Sequence, residues 1–126
     1  MFDLKAVLED GKNIYLQISQ AIEDDILAGL IKEEELIPSK NQIAKHFQIN
    51  PVTALRGVSL LADEGIVYPK RGIGMCVASG ARELILQKRR KGLYETYVRT
   101  LIREAQKLGV CKSELIKMIE SGETHE

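Results

Sequence analysis

The sequence predicts a mainly α-helical protein carrying one small β-hairpin, and three observations predict it. Residues 36–78 run from a short amphipathic segment through a tight turn into a second helical segment and then a Gly-rich hairpin. Ahead of them, Ile18, Ile22 and Ile26 step by four residues, as the apolar stripe of a helix does. Behind them, the stretch from Ala81 to Leu108 contains no proline and repeats its apolar residues at helical spacing. The order gives three helices plus a two-stranded wing, a winged helix-turn-helix, followed by a C-terminal two-helix antiparallel hairpin.

Each element has a local cause. Ile14-Tyr15-Leu16-Gln17-Ile18 leads into the first helix, which ends near Gly29, and the residues before it, through Gly11, read as an arm that pairs with a neighbour or frays. Glu33-Glu34-Glu35 reads as a solvated turn rather than a metal site. Pro38 suits a helix entrance because it has no amide to leave unpaired, and Ser39 can cap the free amides that follow. Ile43, Ala44 and Phe47 then recur on one face, so 39–47 is a short helix. Asn50 is a good N-cap and Pro51 fits the first helical position, which starts the next helix over 51–64. Ala54, Val58 and Leu61 form its core side, Val52, Thr53, Arg56 and Ser59 face elsewhere, and Gly65 supplies the stop. Over 66–78 two short apolar runs flank Pro69-Lys70-Arg71-Gly72-Ile73-Gly74, where Gly72 and Gly74 permit the positive φ of a tight hairpin.

A helix-turn-helix places the N-terminal residues of its second helix against base edges in the major groove of double-stranded DNA. Asn50, Val52, Thr53 and Arg56 are therefore the expected base readers. Ser39, Lys45, Lys70 and Arg71 are expected to position the backbone, the last two against phosphate or a narrow minor groove. Lys40 and Asn41 at the helix entrance, with Gly72 and Gly74 in the wing, complete the candidate DNA-binding set.

At these residues the chain resembles the GntR family of bacterial transcription regulators, in which PS-x-x-x-[LI]-A, a recognition helix and a G-x-G wing occur in this order. PSKNQIA, NPVTALRG and KRGIGM are the matching strings, and the resemblance spans roughly residues 13–78. Asn50-Pro51-Val52-Thr53 followed by Arg56, with a short tail in place of a large effector domain, is similar to the YtrA-like short-tailed subfamily. Lys40 and Asn41 stand where many members carry Glu and Arg, and Cys76 stands where the wing strand usually carries an aromatic residue. The resemblance implies a cytoplasmic repressor that binds an inverted-repeat operator as a homodimer.

Charge distribution agrees. The formal net charge is zero, yet residues 1–35 carry three basic and nine acidic side chains, while residues 36–91 carry ten basic and three acidic. The basic excess falls on the proposed DNA-reading surface, as an electrostatic footprint should. Other classes find little support. No apolar run approaches the ~18 residues of a membrane span, and there is no signal-like N-terminus. Cys76 and Cys111 form no disulfide framework, and His46 and His125 lack clustered partners at metal-ligand spacing, so neither metal nor cofactor is expected. Ser39, Thr53 and the histidines show no nucleophile–base spacing, which argues against an enzyme. A winged helix serving only as a protein-interaction module is the remaining rival, and binding that ignores salt would mark it.

Past Ser79-Gly80 the composition changes, which divides the chain into a DNA-binding domain over 1–79 and a helical dimerisation domain over 80–126. Tyr94, Val98, Leu101, Ala105 and Leu108 step by four, three, four and three along a helix of about 25 residues. Gly109-Val110 breaks it, and a second helix from about Lys112 to Glu120 offers Leu115, Ile116 and Ile119. A hairpin of two helices cannot bury both its faces alone, so the same hairpin of a second chain is the expected partner, with Leu115 and Ile119 joining the seam. Lys88-Arg89-Arg90-Lys91 reads as a solvated helical face, with phosphate contact as the alternative. The tail is too short to enclose a pocket of its own, so any small-molecule effector is expected between the domains or between chains.

Overall fold

Helix α1 (Ile14–Leu27) buries Ile18, Ile22 and Ile26, the stripe that its four-residue spacing predicts. A computed structural model of the protein describes residues 13–122; the proposed N-terminal arm lies outside them. Helix α2 (Lys40–Phe47) and helix α3 (Pro51–Asp63) follow, then strands β1 (Val67–Lys70) and β2 (Gly74–Val77), then helix α4 (Ala81–Leu93), a π-helical segment (Tyr94–Val98), helix α5 (Arg99–Lys107) and helix α6 (Lys112–Glu120). The two strands pair antiparallel, with Val67 opposite Val77 and Lys70 opposite Gly74.

The helix entrances form as their residues dictate. Ser39 Oγ accepts the Gln42 amide at 3.1 Å while Gln42 Oε1 accepts the Ser39 amide at 2.8 Å, a reciprocal capping box. Asn50 Oδ1 accepts the Val52 amide at 2.8 Å, with Pro51 at the first position of α3. One core then joins the three helices to the wing: Ile18 and Ile22 of α1, Ile43 of α2, Ala54, Val58 and Leu61 of α3, and Ile66, Val67 and Val77. Burying side chains of this size is worth about 1.5–3 kcal/mol each, which dominates what local propensity contributes.

The acidic run at 33–35 is more than a solvated turn. Glu33 accepts the Gly80 amide at 3.0 Å and the Arg82 amide at 3.2 Å, so it caps α4 across the sequence, and those two amides hold its carboxyl below the usual carboxylate range. Glu34 accepts the Tyr68 hydroxyl at 2.8 Å, which pushes that phenol up to about 12. Behind these side chains the backbone pairs with β2: the Glu34 amide reaches the Val77 carbonyl at 2.8 Å, Val77 returns to Glu35 at 2.8 Å, and Ile37 reaches Met75 at 2.9 Å. The wing therefore has a third extended partner, with β2 in the middle.

The chain divides into two compact units between Leu86 and Gln87, seven residues beyond the 79/80 boundary read from composition. The first turns of α4 belong to the first unit because Ala81 and Ile85 are fully buried in its core, Glu33 caps them, and Arg82 Nη1 donates to the Leu27 carbonyl. In the second unit, α5 ends in a Schellman turn in which Gly109, at φ 72°, lets the Val110 amide reach the Ala105 carbonyl at 2.8 Å. Where α5 turns back into α6, Ala105 and Leu115 are both buried and line one small pocket with Ile102 and Val110.

The single long helix read over 81–108 is interrupted. At Tyr94–Val98 the hydrogen bonding widens to five residues, as in the bond from the Arg99 amide to the Tyr94 carbonyl. Such a bulge shifts the helical phase between Tyr94 and the residues that follow, whereas Leu101 and Ala105 lie beyond it on α5 at their four-residue spacing.

Candidate nucleic-acid interface

The N-terminal turn of α3 is an exposed corner. Its core side is occupied by Ala54, Val58 and Leu61, and this leaves Asn50, Val52 and Arg56 exposed with Thr53 half-buried between them. Val52 is 72% exposed, and an apolar side chain held in water at the start of a well-capped helix is placed to meet another apolar group such as a thymine methyl. Asn50 fixes its side chain by accepting the Val52 amide at its Oδ1, which leaves both Nδ2 hydrogens to donate. They suit a phosphate oxygen or a base acceptor.

At the entrance of α2, Ser39, Lys40 and Asn41 are exposed, as is Lys45 one turn on. Because the Ser39 oxygen already accepts from Gln42, its hydroxyl hydrogen is left to donate outward. The wing turn places Lys70 and Arg71 in solvent. The Ile73 amide bonds the Lys70 carbonyl at 3.0 Å, and Gly72, at φ 78°, takes the third position of the turn, where a side chain would be strained. Between the wing tip, the α2 entrance and α3 lies an open cleft of about 350 Å³ whose walls include Leu36, Leu55, Ile73 and Lys40. Leu36, Leu55 and Ile73 were not singled out by sequence, since isolated apolar residues at turns and on helix flanks carry no periodic signal.

Arg56 is on the predicted face, one turn beyond Val52 and Thr53, and its guanidinium lies 4.1 Å over the ring of Tyr15 in α1. The first unit thus brings together the α2 entrance, the start of α3 and the wing tip as three donor-bearing edges.

A family description, bacterial regulatory proteins of the gntR family, matches residues 14–77, the span that holds all three edges. The chain belongs to the GntR family. Among solved structures, a GntR-family transcriptional regulator from Bacteroides thetaiotaomicron is 39% identical, with a TM-score of 0.72, covering 85% of this chain and 93% of that one. The HTH-type transcriptional repressor YtrA of Bacillus subtilis is 30% identical over 77% of this chain and 74% of its own length. The arabinose metabolism transcriptional repressor of Geobacillus stearothermophilus is 31% identical over 67% of this chain, which spans only 23% of that protein. The chain is accordingly a GntR-family transcription regulator with a DNA-binding helix-turn-helix, similar to the short-tailed YtrA type. Among the described residues, no helix is long and apolar enough to cross a membrane.

The residues read as a dimer seam separate into two groups in the second unit of this GntR-family chain. Ala105 and Leu115 are buried within the α5–α6 hairpin, while Tyr94, Leu101, Leu108 and Ile119 are exposed and Val98 is half-buried. Ile116 and Met118 add to the exposed apolar surface. The side chains of Lys88 to Lys91 lie on α4, with Arg89 half-buried and the others exposed.

Proposed function

We propose that this GntR-family regulator is a homodimeric repressor that binds an inverted-repeat operator, with α3 of each chain in the major groove and the wings against the flanking backbone. The observation that carries this reading is the exposed, capped start of α3, with Val52, Thr53 and Arg56 on one face and the core on the other. Val52, Thr53 and Arg56 supply base discrimination; Asn50, Ser39, Lys40, Asn41 and Lys45 hold the register from the α2–α3 corner, and Lys70 and Arg71 hold it from the wing. Repression is supported by two of the relatives, which are themselves repressors. Two-fold pairing is supported by the exposed apolar side chains of the second unit, which two α5–α6 hairpins could cover mutually.

Selection of bound fragments from the source genome followed by footprinting tests the reading. Two protected half-sites about one helical turn apart are expected. No protected fragment, or affinity indifferent to salt, would favour a protein-interaction module instead, whereas protection of a single half-site would remove the two-fold reading and keep the DNA-binding one.

Two substitutions separate reading from positioning. Arg56→Ala is expected to leave the fold and dimer intact and to weaken operator binding by about 1–3 kcal/mol; parental affinity in a titration would remove Arg56 from the interface. Arg71→Ala is expected to weaken binding to most sequences alike and to reduce the salt slope by about one. An unchanged slope with one relaxed base preference would make Arg71 a groove reader.

A further inference from the structure

The stacking of Arg56 on Tyr15 is built into the core. At Gly57, the next residue of α3, that helix approaches α1 closely: a Cβ added there would come within 2.9 Å of both the Tyr15 carbonyl oxygen and Ile18 Cγ2. Ile18, one turn after Tyr15, is fully buried. The two side chains thus spring from closely apposed backbones, and the guanidinium carbon lies 4.1 Å from the ring centroid.

That arrangement has a chemical consequence. All five guanidinium hydrogens lie in the guanidinium plane, so stacking on the flat face consumes none of them and leaves the edge available for two parallel hydrogen bonds. An arginine waving freely on a helix surface must give up its rotamer freedom when it meets DNA; one already laid on an aromatic ring has given it up on folding. We propose that Tyr15, a residue of the first helix, is a positioning residue for DNA recognition, which holds the Arg56 guanidinium so that its edge meets a two-oxygen or oxygen-and-nitrogen acceptor on DNA. A phosphate and the O6/N7 edge of guanine both offer that acceptor pair. The inference rests on the DNA-reading role given to α3 above.

The test uses the full chain and a duplex that the parent protein enriches from a random-sequence pool. Tyr15→Leu is expected to weaken binding about three- to thirtyfold, the range of an arginine–aromatic contact. Tyr15→Phe, which keeps the ring, is expected to stay within about twofold of the parent. In an Arg56→Ala background, Tyr15→Leu should cost nothing more, because a positioning residue acts only through the group it positions. A smaller salt slope in Tyr15→Leu assigns the acceptor to a phosphate; an unchanged slope with relaxed preference at one base pair assigns it to guanine. Equal losses with and without Arg56 would show a merely structural role and overturn the proposal, as would tighter binding by Tyr15→Leu. Should Tyr15→Leu fail to fold, Arg56→Lys, on the surface and with its charge kept, gives a second reading: parental affinity there overturns the proposal and a loss comparable to Arg56→Ala supports it. A parent chain that enriches no duplex overturns the DNA reading itself, and that result is distinct from every variant outcome.

Discussion

Replacing Leu101 with glutamate is expected to give a folded, monomeric protein whose operator affinity falls about a hundredfold or more. Leu101 lies on α5, and the hairpin it belongs to satisfies itself through Ala105 and Leu115. Leu101 is 43% exposed and Leu108 78% exposed, so a charge at 101 disturbs little within the chain. A second hairpin laid over Tyr94, Leu101, Leu108 and Ile119 would remove their apolar surface from water at about 25 cal/mol per Å²; a carboxylate in the middle of that contact would have to be desolvated without a partner. Losing the pair costs more than any base contact because two linked half-sites bind as one unit, with the second event intramolecular and gaining a factor of about 10²–10⁴. Sedimentation and operator titration of the variant check this. A variant that stays dimeric with parental affinity places the interface elsewhere.

Gly57→Ala and Gly92→Ala are expected to shift stability in opposite directions although both glycines are helical. At Gly57 the new methyl would meet a backbone carbonyl and the branched side chain of a fully buried isoleucine at 2.9 Å. Neither can swing aside, so α1 must move off α3, and overpacking of this kind costs about 1–3 kcal/mol. The helix propensity gained, about 1 kcal/mol, offsets part of that cost. A Cβ at Gly92 has no atom within 4 Å, so only the propensity acts and the protein should gain about 0.5–1 kcal/mol. Thermal or urea unfolding of the two variants decides it; a Gly57→Ala protein that gains as much stability as Gly92→Ala would mean that the helices separate without cost. Because Tyr15 contributes its carbonyl to the same contact, Gly57→Ala should also disturb the Arg56 stack.

How far the sequence could be read depended on how far apart the interacting residues stand. The caps at Ser39 and Asn50, the first position of Pro51 and the glycine of the wing turn are decided within three or four residues, and the structure carries each of them. The apolar stripes of α1 and α3 were legible because a helix repeats its buried face at fixed spacing. Even the capping partner Gln42, passed over in the motif, was visible in principle as a Ser-x-x-Gln pattern. The π-helical segment at 94–98 left no such mark: nothing in Tyr94-Glu95-Thr96-Tyr97-Val98 distinguishes a five-residue hydrogen bond from a four-residue one, and the unbroken helix drawn through it is interrupted there.

The sequence by itself determined the order of the elements through the wing, the caps and buried faces of the first three helices and, through three short strings of residues, the family. Tertiary structure alone decided the long-range pairings. Glu33 became the cap of α4 because the chain returns to it forty-seven residues later at Gly80, and residues 34–37 became a third partner of the wing because β2 offered a free edge. Arg56 stacks on Tyr15, forty-one residues away in sequence and 4.1 Å away in space, beside the close approach of α1 and α3 that Gly57 permits. The physical reason is the same in each case. Caps and turns are satisfied by neighbouring atoms and are written in local residue types, whereas a carboxylate, a sheet edge or a guanidinium takes whichever partner the packed core brings to it.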